Sequence, residues 1–502
     1  MRASPIAAGL SVSDVVLGSV APVKTARPVV GSLRGDACAT AAIASSATIE
    51  QRNIRRETYH HENLWAKLPL MFVVRLMTIV AVLLFAGCEK TDHDSIDKWP
   101  RTEKGPGKLK KAVEDEGLDP DLSAHAAVNL IKPPMSQETE VRNAIERMSP
   151  GRRQQVIDKL TPRLWEVARV EDEKKPANNT QIAAKDALVT IRKLADDAQR
   201  KTIDGYLVDW YGVYAYEARA GGGQYPGAVV ARLVGPGMTK KLIDVINGFI
   251  TAPGQEKSKF RLGDDLMLAI AASGGPEGVK KLLEIIRLDR GDETLPERAI
   301  SALYKTYVDP ASLFDIRTPE PLEQNLDALI ALAKDDSQKG KVTNDAISLI
   351  RAIGAPKCVA PLQSMVATPH RSSRFKYVAA NNALRCGGIK SIGDVVRALP
   401  DGAYVKEELT GAVAGEIAKM TPRDQVLVAL RQLLDDKSVV ARWTAVEALG
   451  MMKSVDDKAK IEKLSAVKDR LVGFWGANGE GKEDPTLGQR AKEVADQLGT
   501  SK

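Results

Sequence analysis

Leu427-Val-Ala-Leu-Arg-Gln-Leu-Leu-Asp-Asp-Lys-Ser-Val-Val-Ala-Arg-Trp-Thr-Ala-Val-Glu-Ala-Leu-Gly450 reads as two helices joined by a turn. Its first half spaces Leu427, Leu430 and Leu434 at the i, i+3, i+7 interval that lines one face of a helix. The acidic pair Asp435-Asp436 breaks that pattern, and an alanine-rich second helix then runs from Ala441 to Gly450. Alanine lets neighbouring helices approach closely. A terminal glycine is expected to stop the helix in a left-handed conformation. Such a pair is too thin to enclose a core by itself and needs a neighbour on its apolar side.

The first-helix interval recurs toward the N-terminus. It appears as Val279, Leu282, Leu283, Ile286; as Leu326, Leu329, Ile330, Ala333; and as Ile392, Val395, Val396, Leu399. With one substitution it starts again at Val359, and a further copy starts at Thr239. These starting positions, 239, 279, 326, 359, 392 and 427, lie 40, 47, 33, 33 and 35 residues apart. That is the length two antiparallel helices and their turns require. Asn344 to Gly354 supplies another alanine-bearing second helix. The expected fold is all-α, a solenoid of helix pairs with its clear array at 238–498. Weaker copies around 123–132, 141–167 and 183–216 make 108–237 a set of degenerate helical repeats or a cap. No run reads as a series of hydrophobic strands.

The pair at Leu427–Gly450 resembles a HEAT repeat, with a leucine-spaced first helix, the acidic turn Asp435-Asp436 and Arg442 entering the second helix. The resemblance implies an α-α superhelix. It also implies that a turn carboxylate and Arg442 hydrogen-bond along the stack, which makes Arg442 structural. Aromatic residues are only 5% of the chain, which suits many thin interfaces better than one thick core.

The net charge of +7 invites a polyanion partner, but its distribution argues against one. Nine of the 72 Lys/Arg and five of the 65 Asp/Glu precede Cys88, leaving 63 against 60 from there on. Phosphate binding needs a concentrated basic face, so no nucleic-acid partner is expected.

Met71-Phe-Val-Val-Arg-Leu-Met-Thr-Ile-Val-Ala-Val-Leu-Leu-Phe-Ala-Gly-Cys88 has one cation, Arg75, followed by an apolar run and small residues before a cysteine. This is the anatomy of a signal peptide at 71–87. The dozen residues from Leu76 to Gly87 are too short to span a hydrocarbon core of about 30 Å. Leu84-Phe85-Ala86-Gly87-Cys88 resembles the lipobox of bacterial lipoproteins, departing from it in placing Phe85 where leucine is usual. The resemblance implies cleavage between Gly87 and Cys88 and a diacylglyceryl group on the Cys88 thiol. Several acyl chains hold a protein on a membrane durably where one would not. Glu89 in the second mature position implies the outer membrane, facing the periplasm. Residues 1–70 lack any sustained period and are expected to be disordered, either as an over-extended start or as a long basic n-region. The polar stretch 88–107, rich in Lys, Asp, Pro and Gly, reads as a tether.

Few residues suggest chemistry. Cys358 and Cys386 flank one helix hairpin, where they are either a disulfide or two buried small apolar residues. His93, His125 and His370 are widely spaced without a Glu partner motif, so no metal and no cofactor is expected. In this the chain differs from deoxyhypusine hydroxylase, a HEAT-repeat enzyme whose iron is held by repeated His-Glu pairs. Tyr206, Trp210, Tyr211, Tyr214, Tyr216 and Tyr225 gather beside the loop Gly221-Gly222-Gly223. They are either core packing at a junction or an amphipathic binding surface. No serine elbow, triad order or phosphate loop is present, and no catalytic residue is assigned. The expected role is a membrane-anchored scaffold whose curved inner surface binds another protein. The alternatives are an accessory or carrier subunit of an envelope assembly, or an enzyme with a site near 206–226.

Overall fold

The structure, a computed structural model, describes residues 91–213, 215–251, 262–288, 292–309, 317–369, 371–400, 407–471 and 483–500. Contacts divide the chain into Met1–Gly87 and Cys88–Lys502, and all described residues belong to the second unit. Residues 1–90, among them Gly87, Cys88 and Glu89, lie outside them, as do Tyr214 and His370.

The N-terminal part contains helices α1 (His93–Lys98), α2 (Gly105–Glu114), α3 (Pro120–Ile131), α4 (Glu138–Arg147) and α5 (Pro150–Ala168). It continues through α6 (Asn179–Arg192), α7 (Asp197–Tyr211) and the short α8 (Tyr216–Ala220). The array then follows with α9 (Gly227–Val234), α10 (Pro236–Thr251), α11 (Asp264–Ser273), α12 (Pro276–Ile286), α13 (Leu295–Tyr307) and the single turn α14 (Glu320–Glu323). It proceeds through α15 (Leu326–Lys334), α16 (Gly340–Ala352), α17 (Val359–Val366), α18 (Ser373–Gly387) and α19 (Ile392–Arg397). The last helices are α20 (Glu407–Ala418), α21 (Arg423–Leu433), α22 (Val439–Met451), α23 (Lys458–Glu462) and α24 (Leu487–Thr500). Among the described residues the only extended pairing is an isolated bridge between Arg470 and Thr486.

These helices form an α-solenoid of HEAT-like pairs. One layer stacks in the order α9, α11, α13, α16, α18, α20, α22, α24, each helix packing on the next. The partner layer carries α10, α12, α15, α17, α19 and α21, and it contains all six expected starting positions. On α12 the apolar stripe Val279, Leu282, Leu283 and Ile286 is at most 3% exposed. Each such side chain contributes about 1.5–3 kcal/mol when taken from water. The layer that holds α22 is buried on more sides: there the run from Val440 to Leu449 is almost wholly enclosed, with Arg442 its one partly exposed member.

Two local expectations are corrected. The stretch 88–107 is not a loose tether throughout, because α1 and the start of α2 lie within it. Asp92 caps α1 by accepting from the Ser95 N–H at 2.9 Å, while Ile96 and Trp99 are 0% and 5% exposed. Two large anchors suffice to dock a segment whose average composition is polar. Gly354 does end its helix with a left-handed φ of 86°, but Gly450 is helical, and the positive φ falls on Lys453. Gly450 serves closeness instead, since a Cβ there would stand 2.8 Å from Val494 Cγ1 on α24.

Substituting Gly450→Ala should therefore destabilise the C-terminal pairs by about 1–3 kcal/mol through overpacking, despite alanine's better helix propensity. Urea unfolding followed by Trp443 fluorescence checks this; an unchanged or raised midpoint would mean the α22–α24 contact yields freely.

Candidate functional site: a polar surface along the second helices

Several neighbouring pairs are joined, close to the turns of the array, by an arginine and a carboxylate about one repeat apart. Arg298 on α13 reaches Asp264 at the head of α11 at 2.5 Å and Asp292 at 2.9 Å. Arg371, just before α18, pairs with Asp336, just before α16, and lies over the Phe375 ring at 4.0 Å. Asp436 accepts from Arg397 at 2.8 Å and from the Ser438 N–H at 3.0 Å. Arg442 donates to Asp469 at 2.7 Å. The ladder implied by the turn and Arg442 is thus present, displaced by one repeat on each side. Arg163 makes the same kind of contact to Asp121 in the N-terminal part, at 2.8 and 2.9 Å.

Between these rungs lie two clefts. One, of about 310 Å³, is lined by residues including Asp265, Glu297, Lys305 and Lys341. The other, of about 710 Å³, is lined by residues including Lys341, Asn344, Asp345, Arg371 and Arg374. Lys341 borders both, so they adjoin along α11, α13, α16 and α18 and form a single polar surface of mixed charge. Burial tends to raise the Asp436 carboxyl, but the bonds from Ser438 and Arg397 outweigh it and hold its pKa below the usual range. Burial lowers the Arg371 pKa.

Of the described aromatic residues between 206 and 225, Trp210, Tyr211 and Tyr216 are core and offer no binding surface. Trp210, Tyr211 and Tyr216 are at most 1% exposed, and Tyr206 stacks on Trp165 with centroids 4.8 Å apart and planes 4° apart. The Tyr211 hydroxyl donates to the Tyr225 carbonyl at 3.2 Å, and the Tyr216 hydroxyl to that of Asp265 at 3.3 Å. Tyr225 is partly exposed, with its hydroxyl 3.3 Å from Thr190 Oγ1. Burial raises the Tyr211 and Tyr216 pKa values, so neither ionises near neutrality.

Sequence reading missed what holds the glycine loop down. Lys185, on α6, is completely buried and donates to Asp186 at 2.5 Å and to the carbonyls of Gly222 and Tyr225 at 3.1 Å each. Asp186 in turn accepts the Gln224 N–H at 2.6 Å, and glycine is required at 223 twice over, by its φ of 84° and because a Cβ there would collide with that carboxylate. Adjacent Lys and Asp in a helix normally point to solvent, so the sequence carried no signal of this strap.

Cys358, ahead of α17, and Cys386, in the last turn of α18, are joined as a disulfide with Cα atoms 6.4 Å apart. His93 and His125, distant in sequence, are brought side by side. Among the described residues no group of three or more His, Cys, Asp or Glu side chains is arranged to hold a metal ion. None of the described helices is long and apolar enough to cross a membrane.

Neither a protein-family model nor a curated protein matches the chain. Several solved structures do. Human deoxyhypusine hydroxylase in complex with glycerol is 16% identical, covering 60% of this chain and 98% of its own, with a TM-score of 0.22. An engineered protein is 16% identical over 82% of this chain and 97% of its own, at 0.25. Kap121p is 11% identical over 86% of this chain, at 0.29, and the match spans 53% of Kap121p. Scores this low add nothing to the helix stacking already described.

The disulfide closes a loop of 28 residues, which corresponds to about 3–4 kcal/mol of lost unfolded-state entropy. Cys386→Ser, or reduction, is expected to lower the urea midpoint of the α17–α18 region accordingly. Hydrogen exchange localises the effect; uniform protection in the reduced chain would contradict it.

Proposed function

We propose that this chain is an exported, lipid-anchored scaffold that binds another protein along its second-helix surface. The observation that carries the binding role is the pair of adjoining polar clefts that share Lys341, lying on rigid helices and open to solvent. Rigid elements spend little entropy on association, and mixed charge on such a surface favours specificity over tight capture of one small molecule. No catalytic role is assigned to it.

Export and anchoring rest on different grounds. The signal-peptide pattern ending at Gly87 and Cys88 supports attachment through the Cys88 thiol, with Glu89 favouring the outer membrane's periplasmic face. The Cys358–Cys386 disulfide supports the same reading, because such bonds persist in oxidising compartments. In this reading the anchor sets location and the solenoid sets partner choice.

Two measurements test the proposal. Cys88→Ser should leave an unprocessed or soluble form that no longer floats with membranes and takes up no labelled palmitate; a variant that still does both refutes the anchor. A photo-crosslinking residue at Asn344, in the larger cleft, should capture one protein in intact cells in stoichiometric yield, and the same probe at exposed Lys280 on α12 should not. Equal or absent capture at both positions refutes the binding surface.

A further inference from the structure

His93 opens α1 and His125 lies in the middle of α3, 32 residues later, yet their Nδ1 atoms stand 2.6 Å apart. The ring centroids are 4.9 Å apart and the planes are tilted by 33°. The outer nitrogen of each ring is already engaged. His125 Nε2 lies 2.6 Å from Asp97 Oδ1, and His93 Nε2 lies 3.2 Å from Asp121 Oδ2.

The two carboxylates are themselves fixed. Asp97 also accepts from Asn129 Nδ2 at 3.2 Å, and Asp121 accepts from Arg163 Nη2 on both oxygens, at 2.9 and 2.8 Å, and from its Nε at 3.2 Å. An ionised carboxylate only accepts, so each Nε2 carries a hydrogen. In a neutral imidazole that places the lone pair on Nδ1. Two lone pairs then face each other across a gap where they repel, unless a cation lies between them.

A carboxylate behind each imidazole is the arrangement that orients a metal-ligating histidine and fixes its tautomer. We propose that His93 and His125 are a two-imidazole site for a borderline transition metal ion, zinc or copper, completed by water. Imidazole nitrogen suits these ions. Metal–nitrogen bonds of about 2.0–2.1 Å would require the two nitrogens to open by somewhat under 1 Å. The His93 side chain is 47% exposed and can swing outward, whereas His125 is 15% exposed and held from behind. With only two protein ligands the site stays open, and its occupancy would clamp α1 onto α3 at the first turn of the described fold.

The test uses the detergent-solubilised full chain, stripped with EDTA and titrated separately with zinc chloride and copper sulfate by calorimetry. The expected result is one equivalent bound at this site, absent in His93→Ala and in His125→Gln, with a melting temperature raised several degrees by metal only in the unsubstituted chain. His93→Ala removes an exposed ring, so its metal-free melting curve should match the parent and shows that folding is intact. If the parent and His93→Ala bind the same amount of both metals with the same melting shift, the proposal is overturned and the pair holds no more than a shared proton.

Discussion

Among the described residues, the helix pairs of the array hide their apolar sides against the next pair. That dependence organises everything else in the described fold. A stripe such as Val279, Leu282, Leu283 and Ile286 faces one way only, and the alanine-bearing second helix behind it is thin enough to be covered on both flanks. The apolar surface therefore runs continuously from pair to pair instead of closing around a centre. Arginine–carboxylate rungs such as Arg298–Asp264 and Arg397–Asp436 add direction to that contact. Partly exposed pairs of this kind contribute little energy individually, but the planar guanidinium sets the angle at which neighbours meet.

Places where the repeat departs from regularity are each held by something specific. The polar N-terminal segment is docked by Ile96 and Trp99. The glycine loop at 221–223 is strapped to α6 by the buried Lys185–Asp186 pair, whose charges are matched by backbone groups so that burial leaves no donor idle. The α17–α18 hairpin, whose first helix spans only Val359–Val366, is tied at its open end by a covalent bond. Short helices bury less area, and a crosslink offsets that deficit.

An open stack has a functional consequence. Among the described residues its second-helix surface presents polar groups from several pairs, with clefts between rungs. Catalysis gains most from preorganised groups in a dry site, whereas recognition of another macromolecule gains from area and rigidity. The proposed binding role would draw on the mixed charge around Lys341, Asp345, Arg371 and Arg374.

The amino-acid sequence alone determined the helical class and the positions of the first helices, because their apolar interval is local and survives whatever the helices pack against. The proposed lipobox-like segment at 84–88 likewise rests on order along the chain alone. The tertiary structure decided what depends on residues far apart. That Trp210, Tyr211 and Tyr216 are core, that Gly450 exists for Val494 and not for a helix stop, and that Asp436 answers to Arg397 all require knowing which helices are neighbours. The same holds for His93 and His125, which spacing in sequence sets apart and which the folding of α1 onto α3 places in contact. Periodicity records which face of a helix is buried, but not what it is buried against.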